Sequence, residues 1–229
     1  MKDISPLQET IKIQFSNEKL LQQALVHRSY LNENPNFELD QNERLEFLGD
    51  AVLELIVTEH LYQNYENPEG ELTNWRAALV NGTTLAAVAR EIEVENHLYL
   101  SHGESKDNNP KARNYILANA MEAIIGAIYL DQGYDASKKF INEWILAKLP
   151  YILEHKLYMD AKTKFQESSQ EKTGLTPIYK VLEETGPDHK KEFTIGVYIE
   201  NEEIAQGNGT SKQEAETDAA RAGLEAKGW

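Results

Sequence analysis

The sequence predicts an all-α domain followed by a small α+β domain with the element order α-β-β-β-α. Two patterns predict this division. Up to about residue 155, apolar residues recur at spacings of three and four, as they do along one face of a helix. From Phe193 to Ile199, apolar and other residues alternate, which is typical of a half-buried strand. We therefore expect a first domain over 1–155, a linker over 156–160 and a second domain over 161–229.

The first domain is predicted to be a series of amphipathic helices. Two apolar stripes at helical spacing are expected to face its core: Leu45, Leu48, Val52, Leu55, Ile56 and Leu61 in one helix, and Leu117, Met121, Ile124, Ile125, Ile128 and Tyr129 in another. Stretches rich in Asn, Gly and Pro predict the loops between helices, at 34–36, 67–70, 101–110 and 131–133.

The second domain begins with a predicted helix at 161–173 and continues with three strands. The strands are expected from Pro177, from Phe193 and around Ile204, the last of them ending in the glycines of 207–209. Ser211 followed by Glu214 is a capping box, which predicts a final helix. The small residues expected to form the packed face of that helix are Ala215, Ala219 and Ala222.

Composition excludes several classes of protein. The chain has 229 residues and no cysteine, so it can form neither a disulfide nor a thiolate metal site. Its apolar runs are shorter than a membrane span, and residues 1–6 lack the apolar stretch of a secretory signal. We therefore expect a soluble cytoplasmic protein with no membrane partner.

The net charge argues against nucleic-acid binding when it is considered alone. It is −15 for the whole chain, and acidic residues outnumber basic ones in both 1–160 (25 against 14) and 161–229 (13 against 9). Because Lys and Arg make the phosphate contacts in such proteins, an RNA-binding function would depend on where the few basic side chains lie.

Acidic residues recur along one predicted helix. Glu46 and Asp50 are four residues apart, and Glu43 precedes Glu46 by three, so all three carboxylates share one face. A divalent cation would offset their repulsion, since carboxylate oxygens are the ligands that Mg²⁺ prefers. For an isolated pair of acids, a solvated acidic face is the more common explanation. Here Leu45 and Phe47 flank Glu46, which suggests that the helix is mostly packed.

A second predicted helix carries Asn119 and Glu122, three residues apart among apolar neighbours. A buried Glu needs a partner or a metal ion. The sequence leaves both possibilities open, because a neighbouring Arg or a backbone group would serve as well as a cation.

Three stretches of this chain together resemble the ribonuclease III family. They are Asn42–Leu53 (NERLEFLGDAVL), the upstream Ala24–Tyr30 (ALVHRSY) and the downstream Ala118–Asp131 (ANAMEAIIGAIYLD). The resemblance runs in order from about Leu7 to Leu224. It implies that the first domain is a helical endonuclease domain.

The resemblance also implies the site residues and the reaction. The implied metal ligands are Glu46, Asp50, Asn119 and Glu122, of which Asp50 and Glu122 are catalytic; Glu43 and Glu69 are supporting residues. The implied cofactor is Mg²⁺, with Mn²⁺ as a possible substitute. The implied reaction hydrolyses double-stranded RNA to 5′-phosphate and 3′-hydroxyl ends, carried out by a homodimer in the processing of rRNA and mRNA precursors.

Asn119 departs from the family pattern, because most bacterial relatives carry Asp at this position. An amide oxygen can still bind Mg²⁺ but brings no negative charge, so we expect weaker metal binding. The alternative is a catalytically weak or inactive protein that binds double-stranded RNA.

The second domain resembles a double-stranded RNA-binding domain. The resemblance is carried by 164–167, 177–181, 186–189 and 207–212. The RNA contacts that it implies are Gln166, Glu167, His189 and Lys212. Such domains contact two successive minor grooves and the phosphates between them. Gln213 replaces a second basic residue that is frequent in the family, so we expect modest affinity for RNA.

Overall fold

The computed structural model describes residues 1–187 and 191–229, and within them the chain forms two compact units. The first comprises Met1–Tyr158 and is helical, and the second comprises Met159–Trp229 and combines helices with a sheet. None of the helices in these described ranges combines the length and apolar character needed to cross a membrane.

The first unit contains nine α-helices. Their bounds are α1 Ser5–Ile11, α2 Glu18–Ala24, α3 Arg28–Glu33, α4 Glu43–Asn64, α5 Glu69–Val80, α6 Gly82–Glu91, α7 His102–Lys106, α8 Pro110–Trp144 and α9 Leu149–Glu154. Polar side chains at several helix starts accept a backbone N–H of the first turn, as Asn81 does for α6 and Asn109 for α8. The helices enclose one apolar core, to which α4 and α8 contribute buried residues.

Two glycines allow α4 and α8 to pack backbone against backbone. A Cβ atom at Gly49 would lie 1.7 Å from the carbonyl oxygen of Glu122, and one at Gly126 would lie 2.2 Å from the carbonyl oxygen of Leu45. Any side chain at either position would push the helices apart. The two glycines therefore fix the distance between these helices.

Several details of the first domain differ from the sequence predictions. Leu55 is 58% exposed and Tyr129 is partly exposed, although both were expected to face the core. Phe47, which was expected to indicate packing beside Glu46, is 82% exposed. Periodicity marks a stripe on a helix but does not define its edges, and these three residues lie at or beyond the edge of the buried face.

The predicted loops also differ in their extent. The stretch 101–110 includes the short helix α7, and α5 begins within 67–70. The stretch 131–133 is a break inside α8, where Gly133 has a φ of 81°. Helix α9 buries Leu149 and Ile152 and ends at Glu154, just before the predicted linker at 156–160.

The second unit has the predicted order α-β-β-β-α. Its elements are α10 Ala161–Thr173, β1 Ile178–Thr185, β2 Glu192–Ile199, β3 Glu202–Gly209 and α11 Lys212–Lys227. The strands form an antiparallel sheet in the order β1-β2-β3. Gly207 of β3 packs against α11, since a Cβ there would lie 2.0 Å from the Ala219 nitrogen. The core lies between the sheet and both helices, around Phe165 and Val197.

The start and the packed face of α11 show two smaller differences. The Ser211 hydroxyl accepts the Glu214 N–H, as the capping box predicts, but the Glu214 carboxylate accepts the N–H of Thr210 instead of that of Ser211. Ala222 is half-buried, whereas Gly223, eight residues after Ala215, is buried under Phe165. The small face therefore follows steps of four residues along the helix.

Candidate active site

The close approach of α4 and α8 brings four polar side chains to one place. Glu46 and Asp50 precede and follow Gly49 on α4, and Asn119 and Glu122 lie on the facing part of α8. Because the Gly49 backbone touches the Glu122 carbonyl group, Glu46 and Asp50 of α4 face Glu122 of α8. Glu46, Asn119 and Glu122 are half-buried, and Asp50 is exposed.

Glu122 is held in an environment that disfavours its charge. Burial, and then the charges of Asp50 and Glu46, raise the pKa of the Glu122 carboxyl to about 7. No Arg, Lys or backbone group among residues 1–187 and 191–229 forms a hydrogen bond or an ion pair with it. The alternative explanation for a buried Glu, a partner within the protein, is therefore not found in this part of the chain.

Glu46 is affected by the same cluster. Burial raises the pKa of the Glu46 carboxyl, and the charges of Glu43 and Asp50 act in the same direction. The amide of Asn119 acts in the opposite direction, by hydrogen bonding to the charged form. These mutual effects place the carboxylates of both helices within electrostatic reach of one another.

The donor set fits a hard divalent cation. It offers carboxylate oxygens from Glu46, Asp50 and Glu122 and an amide oxygen from Asn119, which are Mg²⁺ and Mn²⁺ ligands by type. Within the described residues, no group of three or more His, Cys, Asp or Glu side chains is gathered at metal-binding distances. Carboxylates repel one another until a cation draws them together, and these side chains can rotate about their torsions. Charge and donor type, rather than a closed cage, therefore support a cation site.

The structure separates the two supporting residues. Glu43 lies beside Glu46, and its carboxylate accepts a hydrogen bond of 2.9 Å from the Gln41 side chain. Glu69, the first residue of α5, lines a different cavity of about 630 Å³, which Tyr62 also lines. Within one chain, Glu43 belongs to the carboxylate cluster and Glu69 does not.

A groove next to the carboxylates contains residues to which the sequence analysis gave no role. Glu46 and Asn119 line it together with Arg28 and Tyr115. Arg28 lies inside the upstream motif 24–30, and Tyr115 precedes Asn119 by one helical turn, so both could have been found by asking what else shares these faces.

The expected RNA contacts of the second unit are at its surface. Gln166 and Glu167 are exposed on α10. Lys212 is the first residue of α11 and is also exposed, with its Nζ 5.7 Å from the ring centroid of Phe193. His189 lies outside the described residues.

Comparison with family models gives one match in each unit. A model described as Ribonuclease-III-like matches residues 17–149. A second model, described as Double-stranded RNA binding motif, matches residues 161–227. The two matches follow one another in the order of the structural units.

Curated proteins and solved structures are similar to the chain. It is 43% identical over 225 residues to the protein named Ribonuclease 3 of Oceanobacillus iheyensis, covering 97% of each. It is 44% identical to the one of Enterococcus faecalis, covering 95% of this chain and 94% of the relative. A crystal structure of the nuclease domain of ribonuclease III from Campylobacter jejuni is 38% identical, with a TM-score of 0.57, and covers 66% of this chain and 98% of that domain. A second structure of that domain (37% identity, TM-score 0.57, 65% and 99% coverage) is described as showing flexibility in a region involved in dimer formation.

Proposed function

The chain belongs to the ribonuclease III family and is an endoribonuclease that acts on double-stranded RNA, and from this premise we propose how it cuts. The family depends on divalent metal ions in general. Our proposal is that this chain uses Mg²⁺, with Mn²⁺ as a substitute, at the carboxylate cluster of α4 and α8. The observation that carries the proposal is Glu122, a half-buried carboxyl with a raised pKa that faces Glu46 and Asp50.

Glu46, Asp50, Asn119 and Glu122 would hold the ion, with Asp50 and Glu122 as the catalytic residues. A bound divalent ion supplies positive charge for the phosphate under attack and makes the attacking water more acidic. The carboxylates themselves repel a phosphate, so RNA can approach these side chains only when their charge is offset. Cleavage should therefore depend strictly on the cation. Glu43 adds a further negative charge beside Glu46 and supports the site from the first turn of α4.

The products we propose carry 5′-phosphate and 3′-hydroxyl ends, and the substrates we propose are rRNA and mRNA precursors in the cytoplasm. The support is the family resemblance of the site, in which water attacks the phosphorus and the 3′ oxygen leaves. Products can be tested directly. A 5′-phosphate-dependent exonuclease should degrade them without prior treatment, and phosphatase treatment should protect them.

The second unit would hold the duplex. Gln166 and Glu167 would contact ribose 2′-hydroxyls in a minor groove, and Lys212 would contact a phosphate at the start of α11. The sequence resemblance assigns the other minor groove to His189. Because the net charge of residues 161–229 is negative, a few placed side chains rather than a general positive field would provide the affinity.

We propose that the active form is a homodimer. An exposed strip runs along α4 at steps of three and four residues, and we call it the α4 strip: Phe47, Ala51, Leu55, Thr58 and Tyr62. Its large apolar members are strongly exposed, Phe47 to 82% and Tyr62 to 80%. Contact with a second copy would remove this apolar surface from water. The strip lies beside the carboxylates on the same helix, so such an interface would flank the active site.

Asn119 supports a second candidate function, a protein that binds double-stranded RNA with little or no cleavage. The amide lowers the negative charge of the ligand set and so weakens metal binding. Against this alternative, Glu46, Asp50 and Glu122 are all present, and a protein that only binds RNA gains nothing from carboxylates that repel phosphate.

Cleavage of a long RNA duplex, titrated with Mg²⁺ and with EDTA as the metal-free control, separates the two functions. We expect the wild-type chain to give short duplexes in Mg²⁺ and none in EDTA. Asn119→Asp should lower the Mg²⁺ concentration for half-maximal cleavage by about ten-fold, because it restores one ligand charge. Glu122→Ala should abolish cleavage while duplex binding persists.

Two results would contradict these expectations. If the wild-type chain binds duplex but does not cut it in Mg²⁺ or Mn²⁺, whereas Asn119→Asp cuts, then the binding protein is the correct function. If Asn119→Asp and the wild type need the same Mg²⁺ concentration, Asn119 is not a ligand.

A further inference from the structure

A groove of about 630 Å³ opens directly from the carboxylate cluster and is bounded by α3, the start of α4 and the first half of α8. Glu46 and Asn119, two members of the cluster, line it. Arg28 and Asn32 line it from α3, and Tyr115 lines it from α8. A nucleic-acid strand bound at the carboxylates would therefore continue into this groove.

The wall that carries Arg28 is fixed to the carboxylate helix. Asn42, just before α4, donates its backbone N–H to the Val26 carbonyl at 2.9 Å and its side-chain amide to the Ala24 carbonyl at 3.2 Å. The segment before α3 is held from its other side by Tyr99, which accepts the His27 N–H at 3.1 Å. These bonds hold the start of α3 in a constant position relative to Glu46.

Arg28 is the single Lys or Arg among the described residues that line the groove, where the other charged side chains include Glu43, Glu46 and Glu104. Its side chain is 71% exposed, and its nearest ion-pair contact, to the Glu43 carboxylate, is 3.7 Å long. An exposed ion pair of this length contributes little to stability. The guanidinium can therefore leave Glu43 for a stronger partner at small cost.

Tyr115 gives the groove an aromatic surface. It is 68% exposed on α8, one turn before Asn119. A large exposed aromatic side chain beside a polar site can pack against a ribose and place its hydroxyl near a 2′-oxygen.

We propose that this groove receives the RNA strand adjoining the cleaved bond, with Arg28 as a positioning residue that exchanges the Glu43 carboxylate for a backbone phosphate and Tyr115 as the surface on which the next ribose packs. Two observations favour RNA backbone as the occupant. The groove is continuous with the carboxylate cluster, and its positive group is a guanidinium, whose planar donors match a phosphate in two hydrogen bonds. The inference rests on the proposed function, since it places the strand relative to the cleavage site.

The test measures cleavage of a short RNA duplex in Mg²⁺ at several KCl concentrations. Duplex binding is measured in Mg²⁺ by fluorescence anisotropy, with each variant made in the Glu122→Ala background so that the duplex is bound but not cut. Arg28→Ala should lower kcat/KM by about ten-fold, mainly through KM, as expected for the loss of one charged hydrogen-bonding contact. The slope of log Kd against log salt should become shallower by about one unit. Arg28→Lys should keep the slope but recover only part of kcat/KM, because it retains charge without the planar donors.

The matched control is Lys19→Ala, which removes one positive charge from an exposed position on α2 that does not line the groove. It should leave kcat/KM within about two-fold of wild type and the salt slope unchanged. Thermal unfolding should show the same midpoint for Arg28→Ala as for the wild type, since the side chain is exposed. Tyr115→Phe should keep most activity, and Tyr115→Ala should raise KM.

Each outcome decides one point. If the wild type cleaves duplex and Arg28→Ala has an unchanged KM and salt slope, the groove inference is wrong and the proposed function stands. If the wild type never cleaves, the proposed function fails, and the anisotropy slopes alone decide whether Arg28 contacts phosphate. If Lys19→Ala changes the slope as much as Arg28→Ala does, the effect is one of total charge and the assignment of Arg28 is overturned.

Discussion

At the scale of single residues, environment decides what the acidic side chains can do. Burial and the charges of Asp50 and Glu46 raise the pKa of the Glu122 carboxyl to about 7. Such a perturbed carboxyl, with two other acids facing it, is typical of a functional site. The burial of Glu122 beside Glu46 and Asp50 therefore supports its proposed role as a metal ligand.

The raised pKa of Glu122 predicts that the stability of the metal-free protein depends on pH. The carboxyl ionises near 4.5 in the unfolded chain and near 7 in the folded one, so the folded state binds the extra proton between these values. The free energy of unfolding should therefore fall as pH rises from 4.5 to 7, by about 1 kcal/mol after allowance for solvent screening.

Glu122→Gln removes this titration and provides the measurement. In EDTA, the variant should be more stable than the wild type at pH 8, and the difference should shrink towards pH 5. Saturating Mg²⁺ should reduce the difference at pH 8, because the ion stabilises the wild-type carboxylate. A difference that is the same at both pH values in EDTA would contradict the assigned environment of Glu122.

At the scale of elements, the contact between α4 and α8 brings the proposed ligands together. Neither helix alone carries all of them, since Glu46 and Asp50 lie on one and Asn119 and Glu122 on the other. Gly49 and Gly126 let the two backbones touch, and the side chains next to these glycines consequently face one another. The packing that completes the core is thus the same packing that assembles the carboxylates.

Gly49→Ala should damage both stability and activity. The new Cβ would meet the Glu122 carbonyl oxygen at 1.7 Å, so α4 and α8 would have to separate. We expect a loss of about 3 kcal/mol in the free energy of unfolding, the upper range for overpacking, and a large loss of Mg²⁺-dependent cleavage. Urea unfolding and the duplex cleavage assay would measure the two effects.

Gly70→Ala is the matched control, because nothing lies within 4 Å of a Cβ placed there in the first turn of α5. It should be neutral or stabilising by less than about 1 kcal/mol. Equal stability of the Gly49 and Gly70 variants would show that α4 and α8 do not depend on this backbone contact.

At the scale of the whole molecule, the exposed α4 strip is the feature that bears on assembly. The α4 strip exposes apolar side chains beside the acidic cluster of a chain whose net charge is −15. A contiguous exposed apolar surface on a folded protein is commonly an interaction site. The proposed cleavage site and the proposed interface both belong to the first unit, and the proposed RNA contacts belong to the second.

Phe47→Asp should convert the proposed dimer into a monomer. An Asp in the α4 strip would place one charge from each copy in an apolar interface, which is costly. Light scattering after gel filtration should give about twice the 26.1 kDa protomer mass for the wild type and the protomer mass for the variant. The control Leu175→Asp, at an exposed apolar position in the second unit, should remain a dimer. A monomeric wild type, or a dimeric Phe47→Asp variant, would rule out this interface.

The residues along the chain were enough to predict the fold class and most helical and strand segments, and the family resemblance supplied the metal-ligand candidates. The predicted segments depend on local physics. A helix requires a spacing of three and four, a half-buried strand requires alternation, and a capping residue such as Ser211 acts within one turn of its own position. The prediction of a helix at 161–173 and of the order α-β-β-β-α was confirmed for this reason.

Which side chains meet and which remain exposed depends on how the folded segments pack together. Phe47 has the same apolar character as its buried neighbours, and its exposure depends on where α8 lies relative to α4. Glu43 and Glu69 were assigned together, yet they line different cavities, because Glu43 begins the 22-residue helix α4 and Glu69 follows the other end of that helix. Burial, electrostatic coupling and contact between distant segments arise from packing in three dimensions, and no spacing along the chain encodes them directly.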